Sequence, residues 1–350
     1  MSIHPDTRQG DAFALSLKLP IGGRVLLLFA LTLTSFLSGT LPDLFFRLIC
    51  TSVGVGLLAY YYLCHLSLLP LLCAVPGFLL SCLATGSVLS SLYSLIWIPG
   101  GVLLAFLMMR RSSKTLSVLA VSLSFGVPVL LCIAAELAAG GVDLRPESFL
   151  VQYRSWFDSI RDSLIQTIEQ NLSALPDSAK TLYAGYAQTI TQMMNLVKIV
   201  LPGLYCALME GLGYLAVSVL QGAAKVTRRT RIIPPAFFLT LSPITAVLFI
   251  LSYGIGLFTQ SGSVSVFTGV AINLCAMIAP WLFVLGIRSI VRRSKLVSRR
   301  LSFAVTVIIL VLALFLSPYF CLLLILIDGI GEVFFITRMK NYARSQHPDP

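Results

Sequence analysis

Long apolar runs, repeated along almost the whole chain, restrict its fold more than any other feature. The run 196–220 (LVKIVLPGLYCALMEGLGYLAVSVL) is typical, and it exceeds the roughly 20 residues that a bilayer-crossing helix needs. Backbone N–H and C=O groups find no water inside lipid, so a spanning segment has to be a helix or part of a closed barrel. The sequence therefore predicts an all-α polytopic membrane bundle.

Composition supports a lipid environment. Of the 350 residues, 57% are hydrophobic and only 11% are charged, whereas a soluble domain carries roughly 25% charged residues. A globule of this length could not bury so much apolar surface. The lipid bilayer is therefore the first predicted partner.

Basic residues predict the topology. Most of the 25 Lys and Arg residues fall in short clusters at the ends of apolar runs, and such clusters mark the cytoplasmic side. Ten spans with both termini cytoplasmic satisfy every cluster, whereas nine spans would place the basic C-terminal tail outside. The clusters lack interleaved aromatic residues, so a nucleic-acid partner is not expected. We predict a multi-pass protein of the bacterial cytoplasmic (inner) membrane.

The predicted organisation has two groups of five spans around one polar segment. Its parts are a cytoplasmic N-terminal tail (1–23), a first membrane bundle (24–140), an extracytoplasmic amphipathic segment (141–194), a second membrane bundle (195–337) and a cytoplasmic C-terminal tail (338–350). The last two spans are expected at about 301–316 and 320–337. An odd number of spans per half makes the halves enter the membrane from opposite sides, as inverted-repeat transporters do.

The polar segment is predicted to form an outward-facing helical hairpin. Apolar residues recur every four positions in its first arm, namely Trp156, Ile160, Leu164, Ile168 and Leu172. This stripe packs on its sister helix or lies on the lipid surface. The alternative is a lid over a cavity.

Polar side chains within the spans are the candidate functional residues. A charge at the centre of a bilayer costs about 2.5–3.5 kcal/mol on insertion scales. Glu210, Asp328 and Asn273 are the candidates for lining a substrate-binding cavity. Glu332 and Glu136 are further candidates. The alternative is that each group makes one interhelical hydrogen bond that holds the bundle together.

No cationic partner for these carboxylates is visible in the sequence. Lys198 and Arg47 are both predicted near the outer side, so the buried carboxylates are expected to be neutral at pH 7. Gly211 and Gly213 follow Glu210 and are expected to let a neighbouring helix approach closely. Prolines at 128, 243 and 280 fall inside predicted spans, and helix breaks at membrane depth are tolerated where they line protein or water.

Enzyme and metal signatures are absent from the sequence. There is no G-x-S-x-G, H-E-x-x-H or Walker A pattern. These motifs are typical of α/β-hydrolases, zinc metalloproteases and P-loop nucleotide-binding proteins, respectively. The eight Cys form no C-x-x-C pair and the three His are scattered, so no metal site or cofactor is predicted. We do not expect an enzyme.

The C-terminal segment Ile327-Asp328-Gly329-Ile330-Gly331-Glu332-Val333-Phe334-Phe335-Ile336-Thr337-Arg338 resembles the closing segment of the YybS-like family of uncharacterised bacterial multi-span proteins. Five spans, an outer amphipathic segment and a following Glu-Gly helix are similar too. The first half of that family is distantly similar to the substrate-binding subunits of energy-coupling-factor vitamin transporters, which implies a small-molecule site among the early spans.

Two functions follow from this reading. The first is a transport-type protein that binds a small solute in a polar intramembrane cavity including Glu210. The second is a non-transporting scaffold or assembly factor that docks a membrane-protein partner through the outer hairpin or the basic cytoplasmic loops.

Overall fold

The computed structural model describes residues 19–65, 67, 69–173, 186–234, 237, 239–258, 266–297, 311 and 318–346, and all secondary structure in these ranges is helical. The predicted all-α class is therefore confirmed. In chain order the α-helices are α1 (Ile21–Thr40), α2 (Leu44–Cys64), α3 (Leu69–Leu72), α4 (Ala74–Thr85), α5 (Val88–Ser91), α6 (Trp97–Met109), α7 (Lys114–Ala139), α8 (Pro146–Ser173), α9 (Tyr186–Val226), α10 (Pro243–Phe258), α11 (Val266–Val297) and α12 (Pro318–Gln346). Short 3₁₀ segments occur at Leu92–Leu95 and Thr230–Ile232.

Six helical segments among the described residues are long and apolar enough to cross a bilayer. They are Ile21–Thr40, Leu44–Cys64, Val88–Met109, Lys114–Ala139, Ala187–Val226 and Val266–Arg293. Leu69–Thr85 and Pro243–Gly256 are apolar but shorter. A multi-pass membrane protein is thereby supported, and the number ten stays a prediction.

The first compact unit comprises residues 1–141 and 208–239. Its helices approach closely at glycines. A Cβ at Gly56 would lie 2.5 Å from the carbonyl oxygen of Ala216, and one at Gly213 would lie 2.8 Å from that of Val118. Small residues at helix crossings are typical of membrane bundles. The expectation for Gly213 is thus confirmed, whereas the one for Gly211 is wrong, because a Cβ there meets nothing within 4 Å.

The second compact unit comprises residues 142–207 and 240–350. Its tightest crossing joins α11 and α12. A Cβ at Gly286 would collide with the carbonyl of Ile325, and one at Gly329 would collide with the carbonyl of Leu282. The boundary between the units falls inside α9, between residues 207 and 208.

Two predicted helix limits change in the structure. Pro243 begins α10 instead of lying inside a span, because proline suits the first turn, where no N–H donor is needed. Ser242 precedes it and its Oγ accepts a hydrogen bond from the N–H of Ile244 at 3.3 Å. The apolar pattern predicts that the span containing Asn273 ends near residue 287 and that the basic cluster 288–300 forms a loop. Instead, α11 continues to Val297, about ten residues further, through the first part of that cluster.

The outer segment contains the first predicted arm, which is α8. The second arm begins at Tyr186 and continues without interruption into the spanning part of α9. The turn of the hairpin, the span 301–316 apart from residue 311, and most of the N-terminal tail lie outside the described residues.

Candidate functional site

The spanning helix α9 contains a proline, Pro202, in its interior. Proline has no N–H, so the carbonyl of the residue four positions earlier loses its intrahelical donor. Here that carbonyl belongs to Lys198, and the hydroxyl of Tyr153 on α8 donates a hydrogen bond to it at 2.9 Å. A side chain of α8 thus replaces the missing backbone bond. The helix remains continuous from Tyr186 to Val226, and we call the interruption of its hydrogen-bond ladder at Pro202 the break.

The peptide group after the proline is also bound by a side chain. The N–H of Gly203 donates to Oδ1 of Asn273 at 2.6 Å. Nδ2 of Asn273 donates to the carbonyls of Ile199 and Gly269, both at 2.8 Å. A Cβ at Gly203 would lie 2.8 Å from the backbone oxygen of Asn273, so glycine is required for this approach. An unsatisfied backbone group in hydrocarbon costs several kcal/mol, and these side chains remove that cost.

An ion pair lies beside the break. Nζ of Lys198 is 2.6 Å from Oδ1 of Asp158, and Arg161 contacts the same carboxylate oxygen at 3.1 Å. The hydrogen bond from Lys198 holds the pKa of Asp158 below its ordinary value. The Lys198 side chain is only 18% exposed. Through Tyr153 and Asp158, α8 is therefore attached at two points to the broken part of α9.

Glu210 lies eight residues beyond Pro202 on the same helix, a rise of about 12 Å. It is half-buried and belongs to the first compact unit. The preceding residue, Met209, is buried. It packs close to Gly126 of α7, because a Cβ built on Gly126 would lie 3.3 Å from Cγ of Met209. The substrate-binding role of Glu210 stays a prediction.

The carboxylates of α12 have cationic partners, which corrects the sequence-based expectation. Nη1 of Arg293 is 3.0 Å from Asp328, and Arg292 forms two hydrogen bonds with Glu332, at 2.9 and 2.6 Å. The expectation failed because the basic cluster was assigned to a loop. Since α11 remains helical to Val297, its two arginines project beside α12.

Asn273 and Asp328 are not brought together. The partner of Asp328, Arg293, is 20 residues further along α11 than Asn273, which corresponds to about 30 Å of helix. Asn273 binds backbone groups at the break in α9, whereas Asp328 binds Arg293 near the C-terminal end of α11. Glu136 belongs to the first unit. It is half-buried in the last turn of α7, and its carbonyl accepts the N–H of Gly140 at 3.0 Å.

A comparison with protein families decides the membership of this chain. The family model described as "Predicted membrane protein (DUF2232)" matches residues 30–330. The chain belongs to the DUF2232 family. No curated protein and no solved structure gives a significant match. The DUF2232 match includes Pro202, Glu210 and the Arg293–Asp328 pair, and it ends two residues before Glu332.

Sequence reasoning on this DUF2232 protein missed Tyr153, Asp158 and Pro202 as a connected group. The sequence does indicate where partners are needed. Pro202-Gly203 interrupts an apolar run, and a proline inside a helix frees backbone groups that need other hydrogen-bond partners. The partners themselves could not be found, since Tyr153 and Asn273 are 49 and 71 residues away. Within the described ranges, no cluster of three or more His, Cys, Asp or Glu side chains could hold a metal ion.

Proposed function

We propose that this DUF2232 protein is a transport-type membrane protein that binds a small solute in a polar intramembrane cavity including Glu210. One observation carries the proposal: α9, which bears Glu210, contains Pro202, and side chains of two other helices bind the backbone groups beside this proline. Spanning helices interrupted by Gly or Pro are a sequence feature of the solute sites of transporters. Proline in a spanning helix is tolerated where neighbouring helices supply partners for the freed backbone groups.

The contacts of the other candidates support Glu210 as the principal residue. The amide of Asn273 is bound to three backbone groups, so it is better suited to supporting the break than to recognising a solute. Asp328 and Glu332 are paired with arginines, which suits them to holding α11 against α12. Glu136 lies close to a helix end, where water competes for its carboxylate.

The basic clusters support ten spans with the C-terminal tail in the cytoplasm. Nine spans would place the basic residues Arg338, Lys340 and Arg344 outside, against the tendency of basic segments to lie on the cytoplasmic side. We therefore propose ten spans, in the bacterial cytoplasmic membrane with both termini inside.

The resemblance to the YybS-like family, and its distant similarity to vitamin-binding subunits, suggests which solutes to test first. We therefore propose water-soluble vitamins as the first class of ligand. The first unit contains buried hydroxyls, among them those of Ser35, Ser38 and Ser94. The Ser35 hydroxyl donates to the carbonyl of Ser94 at 2.9 Å, within the 3₁₀ segment Leu92–Leu95.

A thermal-shift screen of the purified chain in detergent tests the proposal. We expect at least one vitamin or comparable small solute to raise the unfolding temperature in a concentration-dependent way, because a ligand that binds only the folded state stabilises it. Glu210→Gln should abolish that shift. Glu169→Gln, on the exposed part of α8, is the matched control and should keep it. A ligand whose shift survives Glu210→Gln would contradict the assigned site.

A scaffold is the second proposal, and the exposure of α8 favours it. Val151 and Trp156 are 68% and 60% exposed, and exposed aromatic residues commonly anchor protein interfaces. If α8 docks a partner, Val151→Glu with Trp156→Glu should abolish co-purification of that partner while leaving the fold intact. Ser159→Glu with Gln166→Glu changes the charge equally on polar positions of the same helix and should leave the partner bound. An intact solute response together with unchanged co-purification would exclude the scaffold.

A further inference from the structure

An apolar groove of about 400 Å³ lies between α10 and α12 in the second unit. Every lining side chain is aliphatic or aromatic, and one of them, Tyr253, adds a hydroxyl. The lining residues are Phe249, Ile250, Tyr253, Leu322, Leu323, Leu326, Ile327 and Ile330. The groove opens sideways, because Tyr253, Leu323 and Ile327 are between 42% and 53% exposed. Its walls are suited to a hydrocarbon ligand.

The length of the groove matches one leaflet of a bilayer. Its α12 wall extends from Leu322 to Ile330, a rise of about 12 Å. Half of the hydrocarbon core of a bilayer is about 15 Å thick. One acyl chain running along the wall would therefore stay within a single leaflet.

Cationic side chains stand at one end of this groove. Asp328 follows the lining residue Ile327 directly, and it holds Arg293 of α11 at 3.0 Å. That pair engages Nη1 of Arg293, whose side chain is 59% exposed, and a guanidinium carries further N–H donors. Arg292 binds Glu332 on the same two helices, and Arg288 precedes it on α11, so the segments 288–293 and 328–332 together hold three arginines and two carboxylates. These two segments therefore carry a net charge of +1.

We propose that this groove holds one acyl chain of an anionic phospholipid of the cytoplasmic leaflet, whose phosphate accepts hydrogen bonds from Arg293. The basic ends of α11 and α12 mark the cytoplasmic side, and basic sites between spanning helices on that side recognise anionic headgroups. Arg293 is suited to this role because its guanidinium is only partly engaged by Asp328. The groove then supplies the apolar half of the same ligand.

Native mass spectrometry of the full chain tests the headgroup contact, after extraction from vesicles of equal phosphatidylglycerol and phosphatidylcholine. We expect retained lipid to be enriched in phosphatidylglycerol. Arg293→Gln should reduce that enrichment about fivefold, the effect of one cation near an anionic membrane surface, and Arg293→Lys should keep most of it. Asp328→Asn should increase it, because the arginine loses its competing carboxylate. Arg154→Gln on α8 is the control and should change nothing.

A second pair of variants tests the groove independently of charge. Leu323→Trp fills the groove and should reduce the amount of retained lipid, whereas Leu324→Trp adds the same side chain at a neighbouring position outside the lining, 46% exposed, and should not. Unchanged enrichment in Arg293→Gln would overturn the proposal, and so would equal lipid retention in the two tryptophan variants. Displacement of the lipid by glycerol 3-phosphate alone would do so too, because it would show a headgroup site that needs no groove.

Discussion

Both terminal nitrogens of Arg292 donate hydrogen bonds to the two carboxylate oxygens of Glu332, at 2.9 and 2.6 Å, although the Glu332 side chain is only 1% exposed. The guanidinium also lies 4.4 Å from the centre of the Phe335 ring. Bidentate geometry makes such pairs strong and directional. The pair therefore fixes the rotation of α12 against α11, one to two turns beyond the glycine crossing of Gly286.

Replacing Glu332 with Ala should destabilise the protein clearly. Removing one partner of a fully buried ion pair costs about 3–5 kcal/mol, because the other charge stays buried. Arg292 is 39% exposed and can regain some hydration, so we expect a loss below that range. Thermal unfolding of the purified protein in detergent measures it.

Two comparisons separate the ion pair from mere side-chain loss. Asp328→Asn disrupts a more exposed pair, 59% and 26%, and should cost less than about 1 kcal/mol. The double variant Arg292→Met with Glu332→Leu should recover stability, since apolar replacement of a buried pair is often neutral. If Asp328→Asn destabilised as much as Glu332→Ala, burial would not be the reason.

At Asp328 and Glu332, the sequence predicts the helix face but not the ion-pair partners. Their spacing of four residues predicts a shared helix face, and in the structure both bind arginines of α11. Their partners were missed because hydropathy places the end of a span where charges begin, whereas a helix continues wherever its backbone bonds are satisfied. Arg292 and Arg293 are both charged and helical, so composition alone could not place them.

The break in α9 shows the same limit differently. Pro202 identifies which backbone groups are freed, and this is a strictly local property of the sequence. Which side chains satisfy them depends on the packing of α8 and α11 against α9. Tyr153 lies in the polar outer segment, which periodicity describes only as amphipathic, so no sequence pattern could link it to Lys198. The local part was predictable and the pairing was not.

The crossing of α11 and α12 makes opposite predictions for two glycines on one helix. Gly329→Ala should lower the unfolding temperature, because the new Cβ collides with the backbone carbonyl of Leu282 and overpacking costs about 1–3 kcal/mol. Gly331→Ala meets nothing within 4 Å and should leave stability unchanged or raise it, since alanine is favoured in helix interiors by about 1 kcal/mol. Equal shifts in the two variants would disprove the close crossing.

The attachment of α8 should depend on pH only in acid. The pKa of Asp158 is lowered, chiefly by the hydrogen bond from Lys198, so the folded carboxylate stays ionised to a lower pH than the unfolded one. Its stabilising effect is therefore complete above about pH 4, the ordinary range of an aspartate, and is lost as pH falls through the lowered value. Hydrogen exchange of α8, expressed as protection factors, should be constant from pH 8 to 5 and fall below pH 4.

Asp158→Asn supplies the control for that pH dependence. This substitution removes the carboxylate that titrates. The protection factors of α8 should therefore be lower at neutral pH, and they should no longer fall in acid through protonation of residue 158. Asp162→Asn removes a carboxylate that contacts Arg161 but not Lys198, and it should keep the acid-dependent loss. A steep change between pH 5 and 7 in the unmodified protein would point to a different group.

The break at Pro202 makes the most specific prediction, a coupling between two residues on different helices. Asn273→Ala leaves the N–H of Gly203 and the carbonyl of Ile199 without their side-chain partner, and a buried group left unsatisfied costs about 1–3 kcal/mol. Pro202→Ala restores a backbone N–H and removes the ring that crowds the preceding turn, so that the Gly203 N–H can donate to the Ile199 carbonyl when Asn273 is absent. Asn273→Ala should therefore destabilise the Pro202→Ala protein much less than it destabilises the unmodified protein.

A double-mutant cycle built from thermal unfolding in detergent measures this coupling directly. Tyr153→Phe should behave like Asn273→Ala, because its hydroxyl binds the Lys198 carbonyl that Pro202 leaves open, and its effect too should shrink in the Pro202→Ala background. Thr191→Val is the control, since its hydroxyl bonds within α9 to the carbonyl of Ala187, away from the break, and its effect should be the same in both backgrounds. Additive effects for Asn273 and Pro202 would mean that the asparagine does not serve the break. In that case its amide would again be a candidate for recognising the solute.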